Sequence, residues 1–119
     1  MRLQLNDIAL NVEMAGAGPP LLLLHGFTGS AAGWAPHVAY LARQRRTIAV
    51  DLIGHGGSDS PPDPDRYRME RCVADLLALF GALGVERGDV LGYSMGARVA
   101  LHLAAAAPDR IGALILESG

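Results

Sequence analysis

The sequence is short of several things, and each shortage closes off a class of protein. Cys72 is the only cysteine among 119 residues, so no disulfide can form within the chain. Its place among apolar residues of a predicted helix marks it as core filler. The four histidines, His25, His37, His55 and His102, show no metal-ligand spacing, and no metal or cofactor is expected. Charge of neither sign dominates. The formal net charge is -2 with both signs dispersed, which implies neither nucleic acid nor an anionic membrane as a partner. No apolar run approaches the roughly 20 residues that cross a bilayer. The start, Met1 to Asp7, lacks the basic segment and apolar stretch of a signal peptide, so a cytoplasmic protein is the expectation. There is no internal repeat and no low-complexity segment. Half of the residues are apolar, enough for one domain of ordinary core size and no more than one.

What is present reads as strands alternating with helices. Residues 2 to 14 alternate in part, with Asn6-Asp7 as turn chemistry in the middle, which predicts an antiparallel hairpin at a sheet edge. Gly16 to Pro20 breaks it. Leu21-Leu22-Leu23-Leu24 then has the continuous apolar character of a strand buried on both faces. Trp34, Val38 and Leu41 recur at helical spacing and predict a short helix over 34–43, with Arg43 to Arg46 as its solvated charged end and His37 on its exposed side. Thr47 to Val50 is a second buried strand, followed by a compact glycine-bearing loop, 51–60, and a proline-rich stretch, 61–65. Met69, Val73, Leu76, Leu77, Phe80 and Leu83 give a second amphipathic helix that Gly84 can end. A strand over 89–93, a helix over 95–107 and a last apolar strand over 111–116 complete the pattern. The expected fold is α/β, a mostly parallel sheet with helices on both faces and an antiparallel hairpin leading into it.

The stretch that organises the rest is Gly92-Tyr93-Ser94-Met95-Gly96, lying between the predicted strand over 89–93 and an almost wholly apolar helix. A strand that turns at once into a helix forces its junction residue into a strained conformation, and small neighbours such as Gly92 and Gly96 let the two elements close. The plain alternative is a tight turn with a solvent-facing serine. The context favours a nucleophile elbow. Ser94 would then stand above the sheet, next to free amides and the positive end of a helix dipole. The loop His25-Gly26-Phe27 leaves a neighbouring strand and can lend the Phe27 backbone amide to an oxyanion hole, with the Met95 amide as the second donor.

Three motifs in order, Leu-Leu-His25-Gly26-Phe27, then Asp51-x-x-Gly54-His55-Gly56-x-Ser58-Asp59, then Gly92-Tyr93-Ser94-Met95-Gly96, resemble the amino-terminal half of the α/β-hydrolase fold superfamily over almost the whole chain. Within it, His25 to Ser30, Arg66-Tyr67-Arg68-Met69-Glu70, Gly92 to Arg98 and Leu114-Ile115-Leu116-Glu117-Ser118 resemble the 2-succinyl-6-hydroxy-2,4-cyclohexadiene-1-carboxylate synthases, the pyruvate-eliminating lyases of menaquinone biosynthesis. That resemblance implies that Ser94 initiates proton abstraction from a succinyl carbon, that pyruvate leaves, and that Arg98 binds a carboxylate of a small anionic substrate. Helix geometry supports Arg98 separately, because i and i+4 share a face and side chains lean back toward the amino terminus. An arginine paired with a neighbouring acid is the alternative. Ala97 stands where the family pattern has a second glycine.

His25, His55 and Asp51 match the fold's motifs as loop supports. His102 lies two turns from Ser94, about 12 Å at the helical rise, too far to serve as its base. Triad partners in this fold follow the serine in sequence, and after Ser94 the chain offers only His102, Asp109 and Glu117. Residues 1–119 are therefore expected to form a partial domain, with the later strands, lid, triad histidine and acid outside it. The last strand is expected to be an unprotected edge that invites self-association or pairing with another chain. Two alternatives to the lyase stay open: a serine hydrolase of esters or of carbon-carbon bonds of small acids, and a non-catalytic module, either truncated or completed by a partner. Ser94 separates the chain from the dehalogenase and epoxide-hydrolase branches, which carry aspartate at the elbow.

Overall fold

The computed structural model describes residues 1–117. Ser118, the last residue of one of the motifs quoted above, lies outside the described residues. Six strands form one sheet: β1 (Arg2–Leu5), β2 (Ile8–Ala15), β3 (Pro20–Leu24), β4 (Arg46–Val50), β5 (Gly88–Tyr93) and β6 (Ile111–Glu117), in spatial order β1-β2-β4-β3-β5-β6. β1 and β2 form the antiparallel hairpin across Asn6-Asp7, and β2 runs antiparallel to β4. The remaining pairs, β3 with β4, β3 with β5 and β5 with β6, are parallel.

Side-chain alternation along the central strands divides the core between two faces. Leu22 and Leu24 of β3 and Ile48 and Val50 of β4 join a large cluster with Leu76, Leu79, Phe80, Val99 and Leu103. These last five come from the helices α2 (Met69–Leu83) and α3 (Met95–Ala106). Leu21, Leu23 and Ala49 point the other way and meet Ala31 and Trp34, with Val38 and Leu41 of α1 (Ala35–Leu41) partly buried against them. A strand whose successive residues enter opposite cores must be apolar throughout, which is why the leucine run has no polar break.

α1 is shorter than the sequence pattern predicts. A 3-10 turn over Ala31–Trp34 precedes it, because the Ala31 amide is held by the Asp51 carboxylate at 2.6 Å. Bonds of the tighter i to i+3 kind, Arg43 N–H to the Tyr40 carbonyl and Gln44 N–H to that of Leu41, end it before β4. α2 ends at Gly84, whose φ of 70° is the left-handed cap position. The proline-rich stretch leads into a 3-10 turn, Pro64–Tyr67, capped by the Asp63 side chain. Arg66 in that turn is buried and forks onto Asp75 of α2 and Asp7 of the hairpin. Cys72 is buried, and burial pushes its thiol up to about 12. β6 pairs only with β5 among the described residues, and Ile115 and Leu116 on it are exposed. No helix of the described residues is long and apolar enough to cross a membrane.

Candidate active site

Leu24 pairs with Gly92 in the parallel ladder, so β3 and β5 end side by side and the loops leaving them meet above the sheet. Ser94 is the single residue between β5 and α3. Its backbone sits at φ 54°, ψ -112°, a region that costs a non-glycine residue on the order of 1–3 kcal/mol. Hydrogen bonds on both sides hold it there. The Ser94 N–H donates to the Glu117 carbonyl at 2.9 Å, and the Ser94 carbonyl accepts from Ala97 N–H at 3.0 Å and Arg98 N–H at 3.3 Å.

The flanking glycines let this turn close. A Cβ on Gly92 would lie 2.5 Å from the Gly96 carbonyl oxygen, and one on Gly96 would lie 2.7 Å from that of His25 and nearer still to that of Leu24. Both obstacles are backbone and cannot swing away. The first amides of α3 have no intrahelical acceptor. Those of Ala97 and Arg98 turn back to Ser94, which leaves those of Met95 and Gly96 without an acceptor among the described residues. The Phe27 amide likewise has none, and the turn around it closes through Gly29 N–H to the Gly26 carbonyl at 2.9 Å. Gly26 touches the elbow: a Cβ there would be 3.4 Å from Ser94 Cβ.

Below these donors lies a braced layer of polar groups. His25 is buried, and its Nε2 accepts from the Leu52 amide at 3.0 Å. The ring proton is therefore on Nδ1, which donates to the Gly26 carbonyl at 2.7 Å. Burial holds the His25 pKa below that of a free histidine, in keeping with this neutral tautomer. With both nitrogens committed, His25 ties the loop after β3 to the loop after β4. The His55 ring lies beside it, tilted by 55°, with ring centroids 4.9 Å apart. Asp51 accepts from the amides of Ala31 and Gly57 and from Asn11 Nδ2, at 2.6, 2.9 and 2.9 Å. Burial alone would raise its pKa, but those donors hold it below the usual carboxylate range.

A cavity of about 340 Å³ opens beside the elbow, lined by His25, Gly26, Phe27, Gly29, Ser30, Gly33, Trp34, His37, Tyr93 and Glu117. Sequence reasoning did not foresee Trp34, His37, Tyr93 or Glu117 together. His37 is exposed, as its place on the helix predicts, yet it faces this hollow. Only the placement of α1 on the sheet reveals that. Arg98 stands elsewhere, on the exposed stripe of α3 with Leu101 and His102 and off the cavity lining. It makes no ion pair among the described residues. No group of three or more metal-ligating side chains forms among them either.

A family model described as alpha/beta hydrolase fold matches residues 19–119. The chain belongs to the alpha/beta hydrolase fold family. One relative, from Bacillus subtilis (strain 168), carries a provisional name as a 2-succinyl-6-hydroxy-2,4-cyclohexadiene-1-carboxylate synthase. It is 39% identical over 106 residues, 89% of this chain and 38% of its own length. Epoxide hydrolase 2 of Siraitia grosvenorii is 36% identical over 111 residues, 92% of this chain and 35% of that protein. An epoxide hydrolase structure from Vigna radiata superposes with a TM-score of 0.97 at 32% identity, covering 100% of this chain and 38% of that one. The chain thus spans between a third and two fifths of these alpha/beta hydrolases.

Proposed function

We propose that the chain is the nucleophile-bearing segment of a cytoplasmic lyase that eliminates pyruvate from a small anionic succinyl-cyclohexene carboxylate, in the manner of a 2-succinyl-6-hydroxy-2,4-cyclohexadiene-1-carboxylate synthase. The observation that carries this reading is Ser94, strained at the one-residue junction of β5 and α3. Free amides of Met95 and Phe27 flank it. The relative of that name from Bacillus subtilis adds support.

Ser94 Oγ, once its own proton is removed, takes a proton from the carbon next to the succinyl carbonyl. The oxyanion that forms on that carbonyl is held by the amides of Phe27 and Met95, where preorganised donors are worth several kcal/mol. As the oxyanion reverts to a carbonyl, the ring double bonds shift and the bond to the pyruvate group breaks, so pyruvate leaves with the electron pair. Arg98 offers an unpaired guanidinium for a substrate carboxylate. His25 does not act as base, since both of its nitrogens are bonded. Polypeptide beyond these residues pairs with the outer edge of β6 and supplies the base and its acid.

A serine hydrolase of esters or carbon-carbon bonds would use the same elbow and the same amides. Arg98 separates the two. Arg98→Ala raises KM for the anionic lyase substrate about tenfold or more and leaves a neutral ester within twofold. Equal effects on both substrates would favour the hydrolase.

A further inference from the structure

The cavity beside the elbow is unevenly furnished. Glu117 is the one acid in its lining, at the ends of β5 and β6. Trp34 and His37, at the start of α1, are also in the lining. His25, the other imidazole of the lining, has both nitrogens bonded. The His37 ring makes no hydrogen bond among the described residues and rests edge-on against Trp34, centroids 5.7 Å apart. The Trp34 indole N–H is itself buried with no acceptor among the described residues. A buried donor without a partner is uncommon and asks for an explanation. Trp34 and His37 are thus unmet donors at the lining, while the Glu117 carboxylate repels negative charge near itself.

We propose that His37 is a specificity-determining residue, whose ring N–H donates to a carboxylate of the ligand at the α1 end of the cavity. An imidazole keeps at least one N–H in either neutral tautomer, so the contact needs no change of protonation. Glu117 orients the ligand by keeping that carboxylate away from the ends of β5 and β6. This deepens the reading above, in which the substrate is a small polyanion, by naming the residue that selects it. It asks nothing of Arg98, which is not among the residues lining this cavity.

Titration calorimetry on the protein expressed from its own gene reads the binding. Succinate serves as the probe and succinamide as its uncharged counterpart. His37→Phe keeps an aromatic ring against Trp34 and removes the donor. It should weaken succinate about tenfold, the worth of one hydrogen bond to a charged acceptor, and leave succinamide within twofold. His37→Gln returns an N–H and should recover most of the loss. In turnover, His37→Phe raises KM and leaves kcat within twofold, as a binding contact does and a folding defect does not.

Succinate binding to His37→Phe within twofold of wild type would overturn the inference. So would equal losses for succinate and succinamide, or no response of the wild type to succinate at tens of millimolar. A wild type that binds succinate through His37 but releases no pyruvate would sink the lyase and leave this contact standing.

Discussion

Gly96→Ala adds one methyl group and should be among the most damaging single changes in the chain. The new Cβ would lie 2.7 Å from the His25 carbonyl oxygen and closer to that of Leu24. An ordinary contact is roughly 3.5 Å. The first turn of α3 must therefore retreat from β3 by more than about 0.8 Å, since the Leu24 oxygen is nearer than that of His25 and both are backbone. Overpacking with no side chain able to yield costs on the order of 3 kcal/mol. A domain of this size has about 5–15 kcal/mol in total, and at roughly 4 °C per kcal/mol the Tm falls by about 12 °C. Gly81→Ala is the matched control, because a Cβ there meets nothing within 4 Å and the residue lies on the exposed side of α2. Alanine in a helix interior is better than glycine by about 1 kcal/mol, so Gly81→Ala should stabilise by roughly 0.5–1 kcal/mol. Urea unfolding of both variants, with unchanged slopes, reads these differences. A Gly96→Ala protein within about 0.5 kcal/mol of wild type would refute the argument from close approach. So would a Gly81→Ala protein harmed as much.

Other outcomes follow from the same geometry. Ser94→Gly relieves the positive φ and should raise stability by about 1 kcal/mol while abolishing turnover, which thermal unfolding and a pyruvate assay check together. Asp51 has a folded pKa below its unfolded value, so its contribution is complete above pH of about 4 and is lost as pH falls through the depressed folded value. Acid unfolding should therefore be shallower in Asp51→Asn, which starts less stable at pH 7; parallel curves would contradict this. Arg66→Met leaves the buried Asp75 carboxylate unpaired and should cost about 3–4 kcal/mol, with Asp75→Leu added on top recovering most of it. Chemical denaturation of the single and double variants decides.

Much of the architecture was legible because it is local. A leucine run with no polar break is what a strand between two cores requires, and β3 shows both cores filled from alternate residues. Gly84 ended α2 where its left-handed backbone is needed. The elbow was legible for the same reason: Gly92 and Gly96 flank a junction with no room for a Cβ. What escaped depends on contacts distant in sequence. Ala31–Trp34 tightens into a 3-10 turn because Asp51, twenty residues on, holds the Ala31 amide. Arg66 is buried by acids 59 residues before it and nine after it, a pairing that no spacing announces. The helical stripe Trp34-Val38-Leu41 gave the face that α1 buries, but not that His37 looks into the cavity beside Ser94. That depends on where the helix lies on the sheet.

The most direct test of the account is pyruvate release from the pyruvate-bearing succinyl-cyclohexene precursor by the protein expressed from its own gene, set beside Ser94→Ala. The account predicts release by the wild type and a loss of at least about a thousandfold in Ser94→Ala, with the fold intact. Release that survives Ser94→Ala, or a wild type that hydrolyses neutral esters and releases no pyruvate, would contradict it.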